Sequence, residues 1–329
     1  MVVRLGLLGA GRIGKVHAGA IAATADAQLV AVADAFPDAA KAIAATTGAE
    51  VRDLDAIMTA KDIDAVLITT PTDLHATMIE QAARAGKAIF CEKPIDLDVA
   101  RVEACLAVVA KEKAALMVGF NRRFDPNFME VRRRIDAGAI GSVEMVAITS
   151  RDPGPPPIEY IGRSGGMFRD MTIHDFDMAR FLLGEEPATV FASASNLVDP
   201  KIGAAGDVDT AAVILTTASG KICQINNSRR ATYGYDQRIE VHGSTGMVSA
   251  ENLRETTVEL ANAEGYRRDP LMNFFMTRYT QAYRNEIEAF IVALKSGAPM
   301  HPSGADGLAA LKIADAALKS AKTGSLVHL

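Results

Sequence analysis

The chemistry available to this sequence centres on three side chains and one glycine turn. Asp170 and His174 lie four apart within GGMFRDMTIHDFDMARFLLG, residues 165–184. There two glycines suit a loop, and Met171, Phe176, Met178, Phe181 and Leu182 recur at helical spacing. On one continuous helix the two would share a face, with roughly 5–6 Å between their β-carbons. A carboxylate beside an imidazole favours the protonated ring and orients it, as an acid/base pair requires. The same spacing also describes a surface ion pair. Lys93 closes the apolar run Ala88-Ile89-Phe90-Cys91, and Pro94 biases it to extended backbone. A lysine held there donates a hydrogen bond to a substrate hydroxyl and stabilises a developing alkoxide; a plain surface lysine is the alternative.

These residues need a scaffold, and the first 120 residues describe one. Val2–Leu8 is an apolar run ending in Gly9-Ala10-Gly11-Arg12-Ile13-Gly14, and an alanine-rich helical stretch follows. Strand, glycine turn and helix are the setting in which GxGxxG binds a dinucleotide. The first glycine turns the chain, the second lets the backbone approach the pyrophosphate, and the third packs helix on strand. The helix N-terminus faces the negative charge. A second strand, Gln28–Ala33, ends in Asp34, twenty residues past Gly14, where a carboxylate binds the adenosine ribose hydroxyls. Ala35, Phe36 and Pro37 offer no cation for a 2′-phosphate, which points to NAD in preference to NADP. Strands near 50–52, 65–69, 88–91 and 115–119 then alternate with helices at 38–47, 54–60, 76–85 and 99–113, so the unit reads as a doubly wound parallel sheet. Ligands bind such sheets at the carboxyl ends of the strands, where Thr70, Pro71, His75, Glu92 and Lys93 fall. His75 is expected to shape the nicotinamide site or to cap the following helix. The cofactor expectation is therefore Gly9, Gly11, Arg12, Ile13, Gly14, Asp34, Thr70, Pro71, His75, Glu92 and Lys93.

Composition narrows the partners. The 329 residues carry a net charge of −5, without a basic run or basic–aromatic interleaving, so nucleic acid is not an expected partner. Cys91, Cys105 and Cys223 are far apart and odd in number, which argues for a reduced, cytoplasmic protein without disulfides or a thiolate metal site. No stretch approaches the ~18 uncharged apolar residues of a membrane span.

From residue 121 the pattern changes to a second domain, 121–329. A helix is expected at 125–137 and a strand at 144–150. The four prolines between Asp152 and Ser164 predict an irregular loop. Strands at 189–196, 210–218, 221–227, 238–243, 246–250 and 257–260, joined by tight turns, predict a large, mostly antiparallel open sheet. Helices at 274–296 and 307–322 finish the chain. The fold class expected is thus an α/β Rossmann domain followed by an α+β domain.

GAGRIG, TTPTDLH, CEKP, GFNRRFDP and Asp170-x-x-x-His174 together resemble the Gfo/Idh/MocA oxidoreductases over essentially the whole chain. The resemblance implies Lys93, Asp170 and His174 as the catalytic trio, a Lys93–Pro94 bond that is cis, and a last helix that returns to the nucleotide domain. It also implies a homo-oligomer, a tetramer, formed through the second domain's sheet. Ser150-Arg151-Asp152-Pro153, the proline-rich Gly154–Pro157, MFRDMTIHDFDMARFLLG and Tyr233-Gly234-Tyr235-Asp236 resemble the inositol-oxidising members of that family, and this resemblance implies a cyclic polyol as substrate, an inositol, oxidised at a ring secondary alcohol. Candidate contacts to it are Asn121, Arg123, Asp152, Tyr233 and Tyr279. Arg123 could instead be an ion-pair partner, and Tyr235 could replace Tyr233. Competing readings are a dehydrogenase of scyllo-inositol or a sugar, an NAD-using glycoside hydrolase, a non-catalytic NAD sensor, and a metal site on Asp170, His174 and Asp177.

Overall fold

The computed structural model describes residues 2–329, and the chain divides into two compact units. The first comprises Met1–Asp125 with Thr280–Leu311, the second Pro126–Tyr279 with Lys312–Leu329. In the first, six strands, β1 (Val3–Leu8), β2 (Ala27–Ala33), β3 (Glu50–Val51), β4 (Ala65–Ile68), β5 (Ala88–Glu92) and β6 (Leu116–Gly119), form a sheet in the order β3-β2-β1-β4-β5-β6. Every pairing is parallel. Leu5, Leu7, Val66, Leu67, Ile89 and Phe90 are fully buried, as expected of strands covered on both faces. The crossovers are α1 (Arg12–Ala22), α2 (Pro37–Thr47), α3 (Leu54–Thr59), α4 (Thr72–Arg84) and α5 (Val99–Glu112). Helix α4 starts four residues earlier than expected because Pro71 sits at its N-cap and Asp73 in its first turn. His75 therefore lies inside the helix and does not cap it. A 3₁₀ turn, Asn121–Phe124, ends this stretch.

The second unit begins with α6 (Pro126–Asp136) and β7 (Val143–Arg151), then three short helices, α7 (Ile158–Ser164), α8 (Gly166–Asp170) and α9 (Ile173–Leu183). The expected loop at 152–164 thus ends in a helix: after Pro157, Ile158–Ser164 has no further proline, and Gly165 at φ +83° stops it. There follow β8 (Pro187–Ser195), α10 (Pro200–Ala204), β9 (Thr210–Thr217), β10 (Ile222–Ser228), β11 (Asp236–Gly243), β12 (Gly246–Ala250) and the hairpin of β13 (Glu259–Asn262) and β14 (Gly265–Arg268). The chain closes with α11 (Phe275–Arg278), α12 (Thr280–Ser296), α13 (Gly304–Thr323) and β15 (Val327–His328).

The seven-stranded sheet runs β12-β11-β7-β10-β9-β8-β15. It is antiparallel except where β10 pairs parallel with β7. Val146, Ile148, Val190, Val213, Leu215, Cys223, Ile225 and Val241 fill its inner face, while Met145, Phe191, Ile214 and Met247 on the other face are exposed. Strict alternation of this kind is what a sheet with one packed face requires.

Candidate active site

The glycine turn follows β1 and lies beside the point where strand order reverses, between β1 and β4. Gly9 has φ +103°, and a Cβ on it would lie 2.7 Å from the Thr69 carbonyl carbon and oxygen. A Cβ on Gly14 would lie 2.2 Å from the Gly9 oxygen. The fold itself therefore demands both glycines. Gly11 differs, because a Cβ there would meet nothing within 4 Å, so the fold makes no demand for glycine there. A backbone kept bare in open space at the N-cap of α1 fits close approach by a pyrophosphate. Asp34 faces the same turn: it accepts from the Ala10 N–H at 2.5 Å and from the Phe36 N–H at 2.7 Å, leaving lone pairs for ribose hydroxyls. Thr69 Oγ1 donates to the Gly9 oxygen at 2.8 Å and joins β4 to the turn. Arg12 and Pro71 are exposed, and Ile13 and Thr70 half-buried. These residues fit an NAD.

At the end of β5, Glu92 is buried, Lys93 is half-buried, and the Lys93–Pro94 bond is cis. His75, 2% exposed, does not reach a ligand surface: its Nδ1 lies 2.8 Å from the Pro94 oxygen and its Nε2 2.7 Å from the Thr70 oxygen. Burial pushes this imidazole below its ordinary pKa, against the opposing pull of the two carbonyls.

Asp170 and His174 sit on two helices, not one. Asp170 ends α8 and His174 is the second residue of α9, with a turn at Met171-Thr172 between them. The break follows from a buried network. Thr172 Oγ1 donates to Asn227 Oδ1 at 2.8 Å, and Asn227 Nδ2 donates to Asp175 Oδ2 at 2.8 Å. Met167 N–H, at the start of α8, donates to Asp207 at 2.9 Å. Asp170 itself accepts from the Tyr160 hydroxyl at 3.0 Å, and both Asp170 and His174 are half-buried. Asp177 is fully buried with Arg180 3.7 Å away.

The expected substrate contacts separate by environment. Asn121 is buried at the start of the 3₁₀ turn, and Arg123 pairs with Asp306 at 3.0 Å. Asp152 is half-buried just past β7. Tyr233 is 52% exposed and Tyr235 5%, so of the two Tyr233 is the one open to a ligand. Its hydroxyl donates to Asp236 at 2.7 Å and accepts from Arg151 at 2.9 Å. Burial pushes the Asp236 carboxyl up, but Arg238, Tyr233 and Asn252 together bring it below the ordinary value. Tyr279, 1% exposed, is a core residue whose hydroxyl lies 3.4 Å from Gln237 Oε1.

Residues 3–120 match the oxidoreductase family with an NAD-binding Rossmann fold, and residues 128–249 match the GFO/IDH/MocA C-terminal domain. The chain belongs to the Gfo/Idh/MocA oxidoreductase family. It is 69% identical over 320 residues to an inositol 2-dehydrogenase from Rhizobium meliloti strain 1021, covering 97% of each chain. A crystal structure of a myo-inositol dehydrogenase from Corynebacterium glutamicum superposes with a TM-score of 0.97 at 44% identity, covering 100% of this chain and 99% of that one. A scyllo-inositol dehydrogenase from Lactobacillus casei, with bound NAD(H) and scyllo-inositol, gives 0.93 at 31%, with the same coverage. This member of the family is thus an NAD-dependent oxidoreductase.

Several positioning residues escaped the sequence reading. Asn227 and Asp207 lie in a strand and a loop with no motif around them. Asp175 carried a signal: a charged residue on the apolar side of a helix is buried only when paired.

Proposed function

We propose that this protein oxidises a ring secondary alcohol of an inositol, taking myo-inositol to 2-keto-myo-inositol. The observation that carries the reading is full-length identity of 69% to an inositol 2-dehydrogenase. NAD⁺, held by Gly9, Gly11, Gly14, Asp34 and Thr70, supplies the hydride acceptor. The remaining chemistry falls to side chains. His174 removes the hydroxyl proton, since an imidazole with an unperturbed pKa of about 6.5 accepts a proton near neutrality. Asp170 orients that ring and stabilises its imidazolium. Lys93 donates a hydrogen bond to the reacting oxygen as negative charge develops on it. Asn121, Asp152 and Tyr233 are the proposed contacts to the remaining hydroxyls; Arg123 and Tyr279 support the two units from within.

We also propose a homotetramer in the cytoplasm. The exposed sheet face with Phe191, Ile214, Met145 and Met247 is the kind of surface a partner subunit covers, and the three cysteines are free and buried. The catalytic assignment is tested by His174→Ala, which is expected to bind NAD⁺ as the parent does and to lose nearly all turnover. Undiminished turnover in a folded variant contradicts it.

A further inference from the structure

Lys93 stands between two residues whose buried partners come from different helices. On one side, Glu92 Oε1 lies 2.7 Å from Nε2 of His17, a fully buried residue of α1. Edge contacts with Phe90 at 5.1 Å and Tyr283 at 5.5 Å fix that ring. The other Glu92 oxygen accepts from the Lys93 N–H at 3.3 Å. On the other side, the Pro94 carbonyl is met by His75 of α4, which also reaches Thr70 at the end of β4. We propose that His17 and His75 are positioning residues for Lys93, each gripping one of its chain neighbours. This rests on the role given to Lys93 above.

Neither ring can itself meet a substrate, because they are 0% and 2% exposed. Their effect passes through the backbone. Lysine carries its ammonium on four rotatable bonds, so only a fixed main chain sets where the head group starts. A misplacement of about 1 Å at a reacting centre costs up to roughly 100-fold in rate. The geometry also separates this arrangement from a metal centre. Ligand atoms of His17, Glu92 and Glu286 lie within 4.8 Å of one another. However, the 2.7 Å His17–Glu92 spacing is that of a hydrogen bond. It is shorter than the roughly 3.3 Å between two tetrahedral ligands with bonds of about 2.0–2.1 Å. Glu286 is fully buried, and burial together with Glu92 raises its carboxyl well above the ordinary range. That keeps Glu286 a neutral acid, and a metal ligand has to be deprotonated.

The test is a double-mutant cycle on the full-length protein, with NAD⁺ and myo-inositol as substrates and NAD⁺ affinity measured by isothermal titration calorimetry. His17→Leu and His75→Leu are each made alone and with Lys93→Met. The expected result is a fall in kcat of roughly 10- to 100-fold for each single variant, with NAD⁺ affinity retained. No further fall is expected once Lys93 is already Met. His75→Gln, which keeps an N–H donor at similar reach, should recover most of the loss. If the leucine variants do not fold, His75→Asn, polar but too short to span both carbonyls, is read in the same cycle. Losses that multiply with that of Lys93→Met overturn the proposal, as does a stoichiometric metal that Glu286→Gln removes. If Lys93→Met alone keeps full turnover, the assignment of Lys93 has failed, and that outcome is distinct from a multiplying cycle.

Discussion

The Asp34 carboxylate and the Ala10 N–H are 2.5 Å apart, so the end of the second strand is bonded directly to the glycine turn after the first. That contact places a negative group where ribose hydroxyls would donate, and it also holds the turn in shape. Asp34→Ala removes both effects. A hydrogen bond to a charged group contributes about 1.5–3 kcal/mol, so NAD⁺ affinity should fall about 10- to 100-fold. NADP⁺ affinity should fall less, because a 2′-phosphate no longer meets the carboxylate. Isothermal titration calorimetry with both dinucleotides measures this; equal losses for the two contradict the role of Asp34.

The two leading glycines should fail in different ways. Gly9→Ala puts a β-carbon 2.7 Å from the Thr69 carbonyl at φ +103°, and should lower thermal stability by about 1–3 kcal/mol or more. Gly11→Ala has room in the fold and should melt as the parent does, while losing NAD⁺ affinity. Thermal melts with and without NAD⁺ separate the two cases. Full NAD⁺ stabilisation of the Gly11 variant contradicts the assignment.

Much of the first unit was legible because its signals are local. A tight turn needs glycine, a buried parallel strand needs an apolar run, and Asp34 stands at a fixed distance from Gly14. The α8–α9 junction was not legible. Helical spacing alone predicted one helix through Asp170 and His174, but Thr172 is drawn to Asn227, 55 residues away, and no local pattern records that bond. His75 fails as the expected helix cap for a related reason. Its partners, the Pro94 and Thr70 carbonyls, are backbone groups that any sequence supplies, so only the folded chain shows them.

Asn227 should matter for stability as much as for rate. It bridges Thr172, the Ser150 carbonyl and the buried Asp175 carboxylate. Asn227→Leu removes one donor from that carboxylate and breaks the bond to Thr172, and should cost about 2–4 kcal/mol, measured by urea denaturation. A loss below about 0.5 kcal/mol, the scale of ordinary surface substitutions, contradicts the network.

Glu286 gives a pH dependence of definite sign. Burial, then the nearby Glu92, raises its folded-state pKa well above the ordinary 4.5. Between those two values the folded protein binds more protons than the unfolded one, so stability falls as pH rises. Glu286→Gln removes this contribution. Its melting temperature relative to the parent should climb as the pH rises above the ordinary carboxylate range. A difference that stays flat over that rise contradicts a neutral buried acid.

The most direct measurement is NADH formation by the purified protein given NAD⁺ with myo-inositol, scyllo-inositol, chiro-inositol or glucose, each repeated with NADP⁺. The predicted result is fast NADH production with myo-inositol and weak activity with NADP⁺. No NADH from any polyol while NAD⁺ still binds would contradict the proposed dehydrogenase activity.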